Sequence, residues 1–227
     1  MQMTSSARAL WLQQFAFDWL VPGCCVCGGL HGEVVHRNRP SAFCEVCEEV
    51  LPAIVAPPPL SGLDSRYALW EYGGNVRRLI VQAKDLPHCA QAWSLLHMIS
   101  ARLQEMDLSK DAHWCTPPPS LKRRGHDWYL PHFLATQLCR QQGFRYAQLL
   151  RRTRRTFDQA DLNGARRRSN LQGAFALRRG LNFRSLPKTV VVFDDVSTTG
   201  ATLLEASRAL RERGVQRVIG FSVAVVP

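Results

Sequence analysis

The stretch Thr189–Thr202, TVVVFDDVSTTGAT, limits what this chain can fold into more than any other. The apolar run Val190–Phe193 leads straight into two adjacent carboxylates, Asp194 and Asp195, and then into a loop of hydroxyls around one glycine. A short continuous apolar run closed by turn residues reads as a strand buried on both faces, as parallel sheets require. The pattern places a strand over Thr189–Asp194, a loop, a helix over Leu203–Arg213 stopped by Gly214, and a last strand in RVIGFSVAVV. Strand, loop, helix and strand in that order form a βαβ unit, so a parallel sheet follows.

That strand delivers Asp194 and Asp195 to the carboxyl edge of the sheet, where open α/β sheets bind ligands. The loop of Ser197, Thr198, Thr199, Gly200, Ala201 and Thr202 supplies hydroxyls, and Gly200 permits close backbone approach. Unpaired N–H groups and the positive end of the helix dipole point into it, a combination that cradles a phosphate dianion. Two neighbouring acids repel each other and that phosphate, so they need a nearby partner that donates hydrogen bonds or carries positive charge. A ribose with open 2′- and 3′-hydroxyls meets the first need and Mg²⁺ the second. The ligand implied is a ribose 5-phosphate with its hydroxyls on the acids and its phosphate on the loop.

With 227 residues the chain has room for one sizeable α/β domain and a small appendage. The expected division is residues 1–60, with a helix, a cysteine-rich knot and the linker LPAIVAPPPLSG, and residues 61–227, with the α/β fold. Three successive prolines favour an extended connector over a packed element. No apolar run is long enough to span a bilayer. In ALWLQQFAFDWLVPGC, Gln13, Gln14 and Asp18 interrupt any signal-peptide core, and the segment reads as a short amphipathic helix. A reducing cytoplasm is therefore the expected compartment for the eight cysteines.

Cys24 and Cys27 form one C-x2-C pair and Cys44 and Cys47 another, with sixteen residues between them. Two such turns close a tetrahedron of thiolates around Zn²⁺, a site with no open position and hence structural. Cys25 is a poorer alternative to Cys24, and His31 and His36 lie between the pairs as competing ligands. Cys89, Cys115 and Cys139 are isolated and read as small core residues. Further on, YALWEYGGNVRRLIVQAKD reads as strand, glycine turn and amphipathic helix. A second helix is expected over Trp93–Met106, and another ending near Gly143.

The segment Val190–Thr202 resembles the fingerprint of type I phosphoribosyltransferases: apolar strand, two acids, then a T-T-G-x-T phosphate loop. The double cysteine pair, RRLIVQAKD, PPPSLKRRG and DQADLNGARRRSNLQGAF, taken in that order, resemble the ComF/GntX family. The resemblance implies a type I phosphoribosyltransferase-like parallel sheet flanked by helices and a cytoplasmic bacterial protein linked to DNA uptake in natural transformation. It also implies 5-phosphoribosyl diphosphate (PRPP) with Mg²⁺ as ligand, and single-stranded DNA and a competence helicase as partners. Lys84 and Arg124 fall where cations would pair with pyrophosphate; the alternative for each is a solvated surface charge. The chain departs from the family at His126-Asp127-Trp128, where Phe-Asn-Gln is usual, and at Asp85-Leu86, where an aromatic and a glycine are.

The formal net charge is +11, and eleven arginines fall between Arg145 and Arg184. Phe144, Tyr146, Phe157 and Phe175 stand among or beside these cations. Such a zone reads as a hood over PRPP, as a single-strand-binding surface with aromatic faces for bases, or as a solvated basic face. If the protein is an enzyme, Asp194 and Asp195 hold the ribose hydroxyls while the bond to pyrophosphate loosens.

Overall fold

The computed structural model describes residue 24 and residues 57–87, 89–104, 106, 108–119, 128–154, 170–180 and 186–226. Among these the chain forms β1 (Ser65–Glu71), α1 (Gly74–Asp85), α2 (Ala90–Leu103), β2 (His113–Cys115), α3 (Leu130–Gln142), β3 (Arg145–Tyr146), β4 (Leu150–Arg152), β5 (Phe175–Leu177), β6 (Thr189–Ser197), α4 (Ala201–Arg211) and β7 (Arg217–Val225). Five strands make one sheet in the order β1-β7-β6-β2-β3, and every pairing in it is parallel. The α/β class and the parallel sheet expected from the sequence are present. Strands β4 and β5 form a separate antiparallel hairpin.

Period-two alternation divides β6 between two cores. Val191 and Phe193 pack with α1, α2 and α3, while Val190 and Val192 pack with α4 and the hairpin. Helix α1 buries Val76, Leu79, Ile80 and Ala83, a stripe at the spacing of one helical face. In the larger core Trp114 stacks on Phe144 at 5.2 Å and meets Phe221 at 5.5 Å. Helix α3 begins with a proline in its first turn and ends on Gly143 at φ 73°, a left-handed position that glycine takes without strain.

Two boundaries differ from the sequence reading. Strand β6 runs on to Ser197 instead of ending at Asp194, because β7 stays paired with it as far as Val225. Helix α4 accordingly starts at Ala201, not Leu203, and ends at Arg211, since Gly200 at φ 73° makes the turn between them. The proline segment is anchored at its end. Residues 57–63 do not run free: Leu60 lies against Gly200, and the Gly62 carbonyl accepts hydrogen bonds from Ser207 Oγ and Arg211 Nε. Leu60 and Leu63 are half-buried against α4 and β7, while Pro58 and Pro59 stay exposed.

Candidate functional site

Connections leave β2 and β6 in opposite directions across the sheet. From β2 the chain passes through α3 to β3, whereas from β6 it passes through α4 to β7 on the other face. Adjacent strands with diverging connections create a crevice at their carboxyl ends, the usual ligand position in open α/β sheets. Strand β2 pairs with β6 only as far as Cys115 opposite Val192. Asp194 and Asp195 therefore sit just past the end of β2, at the mouth of that crevice, although both are buried.

The continuing strand answers how two like charges can be neighbours. Successive side chains in a strand point to opposite faces, so Asp195 follows Phe193 toward α1 and Asp194 follows Val192 toward α4. Each carboxylate also accepts a hydrogen bond from the next backbone amide: Asp195 N–H to Asp194 Oδ1 at 2.9 Å and Val196 N–H to Asp195 Oδ1 at 2.7 Å. On the α1 side Lys84 Nζ lies 3.0 Å from Asp195 Oδ1, with the lysine side chain 22% exposed and that of the aspartate 11%. Lys84 is thus not a solvated surface charge. It pairs with Asp195 and lowers the charge that the neighbouring Asp194 meets.

Asp194 keeps its proton to a higher pH than an ordinary carboxyl. Burial first, then the Asp195 charge, push it up to about 7, against the opposing pull of Lys84 and the Asp195 amide. Tyr129, immediately before α3, is raised well above the usual phenol range by burial and then by the Asp194 and Asp195 charges. Nearby, the Tyr146 hydroxyl meets Thr116 Oγ1 at 3.0 Å and His132 Nδ1 at 2.8 Å, and donates to Gln148 Oε1 at 2.6 Å.

The hydroxyl loop closes the other side. Ser197 is buried and its Oγ accepts from Arg66 Nη2 at 2.9 Å. Thr198 and Thr199 are half-buried, and the Ala201 amide donates to Thr199 Oγ1 at 3.4 Å. Gly200, Ala201 and Thr202 form the start of α4, whose first-turn amides face the loop. Acids, loop and Lys84 therefore come together at one place. Arg124 lies outside the described residues.

Of the four cysteine ligands expected for Zn²⁺, Cys24 is described and buried in the larger core, while Cys27, Cys44 and Cys47 lie outside the described residues. Cys115 and Cys139 are core residues as expected. Burial raises both thiols, Cys139 to about 12, which suppresses the thiolate and with it nucleophilic chemistry.

In the arginine-rich zone the structure departs from the aromatic-stacking reading. Phe144 and Phe175 are core side chains, closed off from any base, and Phe157 is outside the described residues. Arg151 donates to the Leu177 carbonyl, Arg152 to those of Pro118 and Pro119, and Arg154 to those of Asn170 and Gln172. These bonds fasten the hairpin and the loop after β2, while Arg145, Arg178 and Arg179 are exposed.

Four residues of the site region escaped sequence reasoning. Arg66 reaches Ser197 from β1, and Tyr129 approaches the acids from another element. Trp128, a departure from the family pattern, donates its indole N–H to the Ala83 carbonyl at 3.0 Å, one residue before Lys84. Glu205, buried on α4, accepts from the Phe175 amide at 3.1 Å and pairs with Arg208 at 2.7 Å, tying the hairpin to the helix. A glutamate at an inward position of a helix with an arginine three residues on was the one available signal.

Fold and site together define an α/β protein with an acid pair and a hydroxyl loop at the switch point of a parallel sheet. Among known proteins the chain is similar to competence protein F of Haemophilus influenzae, with 39% identity over 77 residues. That match covers 34% of this chain and 33% of the relative, about a third of each. No family model matches the chain. Among the described residues no helix is long and apolar enough to cross a membrane.

Proposed function

We propose that residues 61–227 are a phosphoribosyltransferase-like domain of the ComF/GntX type that binds PRPP. The observation that carries this reading is the placement of two buried carboxylates, past the end of β2, beside a hydroxyl loop that opens a helix. Ser197, Thr198, Thr199, Gly200, Ala201 and Thr202 take the 5-phosphate, where amides and hydroxyls replace its water. Asp194 and Asp195 take the ribose hydroxyls. A group that donates hydrogen bonds without bringing charge suits carboxylates whose charge is already offset by Lys84.

In a transfer reaction the C1–oxygen bond to pyrophosphate breaks and an acceptor nucleophile bonds to C1. The acids hold the ribose while positive charge develops on the ring, which is positioning with favourable electrostatics. Arg124 is the candidate for leaving-group charge, and Mg²⁺ bound on the diphosphate oxygens would supply the remaining neutralisation. Residues 1–60 carry a structural Zn²⁺ on Cys24, Cys27, Cys44 and Cys47 in this proposal. Likeness to a competence protein supports a competence-related role; the proposed setting is DNA uptake, with this chain acting in the cytoplasm.

Titration calorimetry of PRPP into zinc-loaded protein, with and without Mg²⁺, tests the proposal beside Asp194→Asn/Asp195→Asn. Saturable binding that the double variant loses is the expected result. Equal binding by both proteins, or none by either, removes this pocket as a PRPP site.

A further inference from the structure

Lys84 reaches the acids from a helix far from them in sequence. It belongs to the last turn of α1, a helix held to the core through Val76, Leu79, Ile80 and Ala83. The carbonyl just before it receives the Trp128 indole, and the Gln82 carbonyl receives the Leu86 amide, so the last turn that carries the lysine is held in place. From that support the ammonium reaches Asp195 Oδ1 at 3.0 Å, and the Val196 amide already donates to the same oxygen at 2.7 Å. One carboxylate oxygen thus has a cation and an amide on it.

We propose that Lys84 is a built-in counter-cation of the acid pair, holding at Asp195 the position a divalent metal would otherwise take. A tethered ammonium competes as an intramolecular partner, so a metal from solution must overcome its effective concentration as well as the desolvation of a buried site. The acids are left able to accept hydrogen bonds from hydroxyls but closed to direct metal ligation. Lys84 therefore sets specificity: the pocket takes a neutral diol at the acids, and any divalent cation must ride on oxygens of the ligand. The diol part rests on the PRPP reading; the exclusion of metal does not.

Mn²⁺ titration of the zinc-loaded full chain, followed by the electron paramagnetic resonance of unbound Mn²⁺, tests the exclusion without any sugar phosphate. The expected result is no Mn²⁺ site in the wild type that Asp195→Asn alters. Lys84→Gln should gain one site, ~tenfold or more tighter than any in the wild type, because carboxylate ligands are then open to a hard cation. Lys84→Gln/Asp195→Asn should lose that site, and Lys84→Arg should behave as wild type. A wild-type Mn²⁺ site abolished by Asp195→Asn overturns the proposal, and this comparison needs no change at Lys84. So does a Lys84→Gln protein that melts cooperatively and gains nothing. Failure of PRPP to bind in the calorimetry counts against the ligand reading alone.

Discussion

Asp194 shows how a single residue can be costly to the fold and useful to the site. Its carboxyl ordinarily titrates near 3.8, but in the folded chain burial and the neighbouring Asp195 charge hold the proton to about 7. Between those values the folded state binds more protons than the unfolded state, so the contribution of Asp194 to stability falls as pH rises from about 4 to about 7. Above that it is constant. Asp194→Asn keeps an oxygen for the Asp195 amide and removes the charge. The variant should be more stable than wild type at pH 8, by roughly 2–4 kcal/mol as an upper range, and nearly equal to it at pH 4. Urea unfolding at the two pH values measures the difference; an equal gain at both would mean that charge is not the cause. Lys84 belongs to the same scale, since one ammonium occupies an Asp195 oxygen that a cation from solution would otherwise seek.

At the scale of elements, the turn from β6 into α4 depends on a contact from far away in the chain. Gly200 has φ 73°, and a Cβ built there would collide with Leu60 Cδ1. Gly200→Ala should therefore cost roughly 1–2 kcal/mol for the left-handed backbone, plus the displacement of Leu60. The second part disappears when Leu60 is also shortened. In a double-mutant cycle, Gly200→Ala should be less costly in the Leu60→Ala background than in the wild type, as read by thermal melting. Strict additivity would show that residues 57–63 do not press on the loop in solution. Glu205 works in the same way: a side chain on α4 satisfies a β5 amide and an arginine of its own helix, fixing the hairpin beside the site.

Taken whole, the molecule carries a formal charge of +11, yet Arg151, Arg152 and Arg154 are used internally, on backbone carbonyls. Whatever affinity the chain has for nucleic acid should then be mainly a matter of phosphate charge, with the logarithm of affinity falling linearly with the logarithm of salt. Arg178→Ala/Arg179→Ala, at exposed positions beyond β5, should weaken binding of single-stranded DNA and flatten that slope while leaving PRPP binding unchanged. Fluorescence anisotropy across a salt series reads both. An affinity insensitive to salt would restore base stacking as the source, through aromatics other than the buried Phe144 and Phe175.

The sequence by itself determined the sheet and the position of the site within it. A continuous apolar run such as Val190–Phe193 is the pattern of a strand buried on both faces, as parallel sheets require, and the hydroxyl loop follows where such a strand ends. Those signals are local, because strand periodicity, glycine and hydroxyl-rich turns act over a few residues. Tertiary structure alone decided what faces the acids. Lys84 arrives from 111 positions earlier in the chain (195 − 84), carried by α1 onto the face that Asp195 shares with Phe193. The register of β7 decided that β6 would continue through both acids and so turn them to opposite faces. Tyr129, Arg66 and Leu60 likewise meet the site only because separate elements converge at one sheet edge. Spacing along the chain carries no record of such meetings, since packing brings together side chains that are remote in sequence.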